Sequence, residues 1–340
     1  MCQSPVGVCA LGPCQCLLLC LALSVGLLSA GSRAASQNSN PPDVQALEGQ
    51  SHDANPLLRF RLAPSLGTAS ADESREAPKT FVDMAPAELA GAVPELNHLK
   101  PAESQDALPK ILERAGSAVA AFFDNFPNTT CTEHVTSHVH RVKLKGVLRY
   151  DHTYNYLALA EEGSIKGRLR EYRTNAQGEI VQPEGIVTFG FVALSVNFHP
   201  DYQADSRYRY QGREEIEKQN TYVVAFAQRP QVARQTASVQ YLGQGGTVYL
   251  QGVAWIDPVS FRIVRLRTDL EQPESNIGLQ KETIQVLYSE VTFGKSGETL
   301  WLPLEVTVTG QLKQYVFHNQ HRYSDYRLFN VQVEQKPDKP

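Results

Sequence analysis

Cysteine is scarce where folding would use it: of six in the chain, Cys2, Cys9, Cys14, Cys16 and Cys20 lie near the N-terminus and Cys131 alone follows. One thiol closes no internal disulfide, so the body of the protein has to be held by a packed core. An excess of charge is missing too. From Leu108 to Pro340 there are 26 basic and 25 acidic residues, a balance that argues against a nucleic-acid surface, where cations gather to displace counterions from phosphates. The alternation Arg207-Tyr-Arg-Tyr210 reads as a strand with a solvated basic face. Catalytic signatures are absent as well. There is no G-x-S-x-G or H-E-x-x-H, Val248 occupies the last place of a G-x-G-x-x-G begun at Gly243, and Ser289 stands where a phosphate loop ending in Gly294-Lys-Ser296 needs its first glycine. Glu161-Glu162 and Glu214-Glu215 fall at loop-like or strand-edge positions, where solvated charge is a simpler account than paired-carboxylate catalysis.

The apolar run from Cys16 to Leu28 has the length of a signal-peptide core and falls short of the ~20 residues a spanning helix needs. Ser29-Ala-Gly31 and Ser32-Arg-Ala34 are both cleavage contexts, although no Lys or Arg precedes Arg33. Residues 1–35 are therefore expected to be a signal segment that brings the chain near a membrane, and the protein is expected to be exported to the periplasm or cell envelope. Cys14 and Cys16 have no histidine nearby and read as small hydrophobes, and Leu18-Leu19 stand where a lipidated Cys20 would require a small residue.

Between Ser36 and Ala107 the chain holds eight prolines, eleven acidic and five basic residues, and Phe60 and Phe81 as its aromatics. Such a composition buries too little apolar surface to offset about 1–2 kcal/mol of backbone entropy per residue, so 36–107 is expected to be a disordered linker. The folded domain is expected over 108–332, with 333–340 as a tail.

That domain opens on Leu108, Ile111, Leu112, Ala115, Val119, Phe122, Phe123 and Phe126, whose spacing of three and four predicts an amphipathic helix over 108–126. Pro109 suits its first turn and Pro127 ends it. The remainder is patterned for strands. Leu300, Leu302, Leu304, Val306 and Val308 alternate with polar or bulky partners. Thr247–Ile256 and Ser260–Asp269 flank an Asp257-Pro258 turn. Further strands are expected at 134–145, 154–160, 166–174, 186–198, 207–212, 219–228, 279–293 and 315–329. Successive antiparallel strands under one helix imply a mainly β fold, a curved antiparallel sheet or open half-barrel with a covering N-terminal helix.

The run from Gln251 through Trp255-Ile-Asp257 to Leu266 resembles a hairpin of the outer-membrane lipoprotein carrier (LolA/LolB-like) superfamily, and Leu300-Trp-Leu-Pro-Leu-Glu-Val306 looks like the meander strand that follows it. The whole body is similar to exported bacterial proteins of unknown role that carry Trp255-Ile-Asp257, Trp301-Leu-Pro303 and His321-Arg-Tyr-Ser-Asp-Tyr-Arg327. The resemblance implies a half-barrel whose concave apolar face holds acyl chains or a partner's hydrophobic segment.

On this basis Phe122, Phe123, Trp255, Leu302, Leu304 and Val306 are the candidate residues for a hydrophobic ligand or a lipidated or peptide partner, with no cofactor and no catalytic group. The alternative is an envelope interaction module whose helix fills the concavity permanently. A third possibility is a metal site: His134, His138 and His140 share one face of a strand, an arrangement in which two imidazoles can meet one ion. A polar, solvent-facing strand explains the same spacing. His318 and His321 change face and are expected to be surface or edge residues.

Overall fold

The computed structural model describes residues 59–64 and 79–328, apart from 161–168, 182–187, 189, 217, 242–243 and 295–296. The signal segment, the tail and most of residues 36–78 lie outside that set. Among the described residues the strands are β1 (Arg59–Pro64), β2 (Lys100–Pro101), β3 (Thr129–Arg141), β4 (Val147–Ala160), β5 (Leu169–Thr174), β6 (Ser206–Ile216), β7 (Gln219–Gln228), β8 (Gln235–Tyr241), β9 (Gln244–Val248), β10 (Leu250–Ile256), β11 (Ile263–Leu270), β12 (Leu279–Phe293), β13 (Glu298–Leu312) and β14 (Tyr315–Leu328). Two helices precede most of them, α1 (Pro86–Ala92) and α2 (Leu108–Asp124).

Eleven strands form one antiparallel sheet in the order β2-β6-β7-β10-β11-β12-β13-β14-β3-β4-β5, and β1, β8 and β9 form a three-stranded one. The large sheet is open and curved, an open half-barrel, with β2 and β5 at its two ends among the described residues. It is a meander that returns on itself, since β14 pairs with β3. Two-residue periodicity creates it: on β12, Glu282, Ile284, Val286 and Tyr288 are buried while the residues between them are half-buried. The alternation on β13 is interrupted. Leu287 faces Glu305 whereas Tyr288 faces Pro303, so Leu304 is an extra, bulged residue and is 45% exposed.

Two hydrophobic clusters lie on the sheet. The larger joins Ile111, Ala115 and Val119 of α2 to Phe226, Ile284, Val286, Leu302, Val306 and Val308. The smaller joins Phe81, Val82, Leu89, Val93 and Leu96 to Val223, Ala225, Val253, Trp255 and Val264. Residues 79–107, expected to be the end of a disordered linker, thus carry a helix and pack on the sheet. The reason is local: within an acidic, proline-rich stretch, Phe81, Val82, Leu89, Val93 and Leu96 form a compact apolar set, and Pro86 and Pro94 occupy first helical turns, where a missing N–H costs nothing. Arg207 clasps this segment through Asp83 Oδ1 and Thr80 Oγ1. Gly212, at φ +136°, lets it dock: a Cβ there would lie 2.0 Å from the Lys100 carbonyl oxygen. A strand, β1, also falls inside the expected linker.

The expected strand at 186–198 does not form. Ile186, Val187 and Phe189 lie outside the described residues, and the rest is a strap that turns at Gly190, enters a 3-10 helix at Leu194–Phe198 and is buried from Phe191 to His199. Its apolar run is nearly continuous, a pattern shared by buried strands and other buried segments. The strap lies between α2 and the sheet: the main neighbours of α2 are the 3-10 turns Leu194–Phe198 and Pro200–Asp205, and Leu194–Phe198 also touches β11.

Candidate functional site

A buried, non-repeating strap has backbone groups to satisfy, and an interior that leaves them unpaired pays several kcal/mol. Glu171 on β5 meets this need. Its Oε2 accepts the Gly190 N–H at 2.6 Å and its Oε1 the Val192 N–H at 3.2 Å, while the Tyr156 hydroxyl donates to the same carboxylate. Burial raises the Glu171 pKa against the pull of those three donors. Beside it, Glu133 on β3 is fully buried. It accepts Arg173 Nη2 at 2.7 Å, faces His321 Nδ1 at 2.9 Å and accepts the Tyr323 hydroxyl at 2.9 Å. Burial pushes the Glu133 carboxyl up, but the Arg173 charge and the hydrogen bonds of Arg173 and His321 outweigh it and hold the pKa at about 2. Arg173 also donates to the Thr188 carbonyl at 3.1 Å, which ties the strap to this ion pair. The Thr188 hydroxyl donates to Glu282 Oε1 at 3.2 Å; Glu282 Oε2 has no partner among the described residues, and burial lifts this carboxyl to about 7.

With the strap so fixed, a cavity of about 520 Å³ remains at its outer edge. One wall is the C-terminal half of α2, with Ala118, Val119 and Phe122; the strap contributes Val192 and Ser195; the sheet side contributes Ile263, Tyr288, Leu300 and Trp301. Its volume lies within the range of small-molecule sites. Its polar lining comes from several elements: Asn125 after α2, Ser195 of the strap, Ser260 and Arg262 of the turn after β10, and Glu298 and Thr299 of β13. Arg262, on the turn after β10, pairs with Glu290 Oε2 at 3.0 Å and stands 5.5 Å from the Trp301 ring centroid. Trp301 is held in place by its indole N–H, which donates to the Ile263 carbonyl at 2.7 Å, and the Tyr288 hydroxyl donates to the Phe191 carbonyl at 3.4 Å. The lining is thus mainly apolar, with charge at Arg262 and Glu298.

Of the expected contact residues, Phe122 lines this cavity. Phe123 sits beside it and packs edge-on against Phe122 and His199. Leu302 and Val306 are buried in the larger cluster and are not part of the lining. Leu304 is exposed at the bulge, because the inserted residue displaces it from the buried series. Trp255 is wholly buried in the other cluster, against Phe81 and Leu89, and its indole N–H donates to Glu214 Oε2 at 2.7 Å. Glu214 is therefore a buried acceptor and not a strand-edge charge. Nothing local marks Ile263, Tyr288, Leu300 and Trp301 as a group; the turn after β10 meets the start of β13 through the sheet register.

The histidines divide differently from their expected roles. His134 and His140 are exposed and His138 is half-buried, on one face of β3 as their parity requires, and His138 stacks on His318 with centroids 6.5 Å apart. No cluster of three metal-ligating side chains occurs among the described residues. His321, expected at a surface, is buried. Burial lowers its pKa against the pull of Glu133, and its Nε2 has no hydrogen-bond partner among the described residues. Cys131 is buried, and burial together with Glu133 pushes its thiol up, away from the reactive thiolate.

Compared with known proteins, the chain matches no family model and no curated sequence. Among solved structures it is similar to a candidate outer membrane lipoprotein-sorting protein domain from Vibrio parahaemolyticus, at 11% identity over 67% of this chain and 95% of that one, with a TM-score of 0.35. It is also similar to a DUF1329 family protein from Desulfovibrio piger, at 10% identity over 67% and 95%, TM-score 0.32. A third is a LolA superfamily protein from Nitrosomonas europaea, at 15% identity over 66% and 94%, TM-score 0.27.

Proposed function

We propose that the protein is an exported binding protein, of the periplasm or cell envelope, that accommodates a lipid-like or hydrophobic ligand by burial and not by bond chemistry. The observation that carries this reading is the apolar cavity of about 520 Å³ between α2 and the sheet, walled by Val119, Phe122, Ile263, Leu300 and Trp301. Each methylene moved there from water contributes about 0.8 kcal/mol, so the site favours acyl chains over compact polar molecules. The signal-like N-terminus supports the location.

A second reading has its own observation. The strap fills much of the hollow with Phe191, Val192, Leu194 and Phe198, which suits an interaction module whose interior is permanently closed. Native mass spectrometry of the full chain separates the two. Co-purified lipid, or uptake of an added fatty acid with one-to-one stoichiometry, supports the binding reading; an unliganded mass that takes up no fatty acid contradicts it.

A further inference from the structure

The hairpin joining β3 to β4 departs from the rest of the surface. Every residue from His140 to Arg149 is exposed, and four of them are large aliphatics: Val142 at 38%, Leu144 at 59%, Val147 at 60% and Leu148 at 60% exposure. Between and beside them stand Arg141, Lys143, Lys145 and Arg149, and no acidic residue occurs from His134 to Tyr150. Arg149 is paired with Asp151, at 2.8 Å; Arg141, Lys143 and Lys145 form no ion pair among the described residues. Lys143 at φ +70° and Gly146 at φ +119° shape the turn, and the Val142 N–H donates to the Gln314 carbonyl at 2.7 Å, fixing the tip to the turn that carries Lys313. β5 covers β4 along Asn155–Ala160, so the tip half of β4 has no outer strand among the described residues.

Aliphatic side chains held in water at a loop tip gain free energy when they enter a hydrocarbon layer, and a ring of cations around them gains more at an anionic surface. The cations gain nothing at a neutral surface and are repelled by a cationic one, so the patch as a whole favours an anionic partner. We propose that the tip at residues 141–149 docks on an anionic phospholipid surface, with Leu144, Val147 and Leu148 entering the acyl boundary and Arg141, Lys143 and Lys145 meeting phosphate headgroups. This contact is independent of the cavity under α2.

The test uses the full chain carrying Leu144→Trp as a reporter, read against the unsubstituted chain so that Trp255 and Trp301 cancel. Because Leu144 is exposed, the reporter leaves the core unchanged. Vesicles of phosphatidylcholine with 30% phosphatidylglycerol should blue-shift the reporter and allow brominated lipids to quench it, whereas pure phosphatidylcholine should not. Adding Lys143→Gln and Lys145→Gln should weaken the response on the order of twentyfold, near fivefold per cation, and salt should do the same. A reporter indifferent to phosphatidylglycerol, or one unaltered by the two glutamines, would overturn the proposal. So would an oligomer in sedimentation that Leu144→Ser dissolves, since it would assign the tip to a second copy of the chain.

Discussion

Replacing Glu282 by glutamine should make the protein more stable at neutral pH, and the gain should grow as pH rises. Glu282 lies on β12 with one oxygen on the Thr188 hydroxyl and the other without a partner among the described residues. Burial raises its pKa from the ordinary carboxylate value to about 7. For a carboxyl raised on folding, the native state holds a proton that the unfolded chain has released between these two values, so stability falls as pH climbs through that window and is lowest above it. At about 1.36 kcal/mol for each tenfold change in proton affinity, a rise of that size amounts to roughly 3 kcal/mol. Glutamine has the shape of the protonated acid and does not titrate. Urea denaturation followed by tryptophan fluorescence at pH 5, 6, 7 and 8 should show Glu282→Gln ahead of the unsubstituted chain by ~1 kcal/mol at pH 5, rising to ~3 kcal/mol at pH 8. Because this carboxyl holds Thr188, the experiment also asks whether the strap lies inside the protein. A difference that does not vary with pH, or glutamine being less stable throughout, would refute the reasoning.

Other outcomes follow from the same interior. Arg173→Met leaves Glu133 buried without its cation and should cost about 3–5 kcal/mol in denaturant titration; replacing Arg173 and Glu133 together by apolar residues should recover part of that loss. The Glu133 pKa, held at about 2, contributes stability above the ordinary carboxylate range that is lost as pH falls toward 2, so acid unfolding of Glu133→Gln should be shallower in that window. Gly212→Ala would drive a Cβ into the Lys100 carbonyl and should release residues 79–107 from the sheet, at about 2–4 kcal/mol; limited proteolysis should then cut near Leu99, where the unsubstituted chain resists.

The regular parts of the fold were legible because their period is written locally. The spacing from Leu108 to Phe126 yielded α2 to within two residues, and the strands at 219–228 and 279–293 lie where the alternation placed them. Three things were not local. Residues 79–107 look solvated by composition, yet five apolar residues suffice when a sheet face stands ready to cover them. The strap at 188–198 has a strand-like composition, but Gly190 turns it and the Glu171 carboxylate supplies the hydrogen bonds a ladder would have given. Leu304 obeys the alternation in sequence and leaves it in space, since a bulge adds a residue to one strand only. Of the site, Phe122 was readable as the apolar face of a helix; Ile263, Tyr288, Leu300 and Trp301 come together only through register, and Trp255 lies in the smaller cluster because a strand's parity does not say which of two apolar clusters a face meets.

On the binding reading, the space under α2 receives an acyl chain. Ala118 lines that space from a half-buried position on the helix, so Ala118→Trp should fill it without disturbing the sheet. Titrating a fluorescent fatty acid into both proteins should give one saturable site in the unsubstituted chain and at least tenfold weaker binding in the variant, with the same thermal transition. Equal binding by the two proteins, or no binding by either, would contradict the claim.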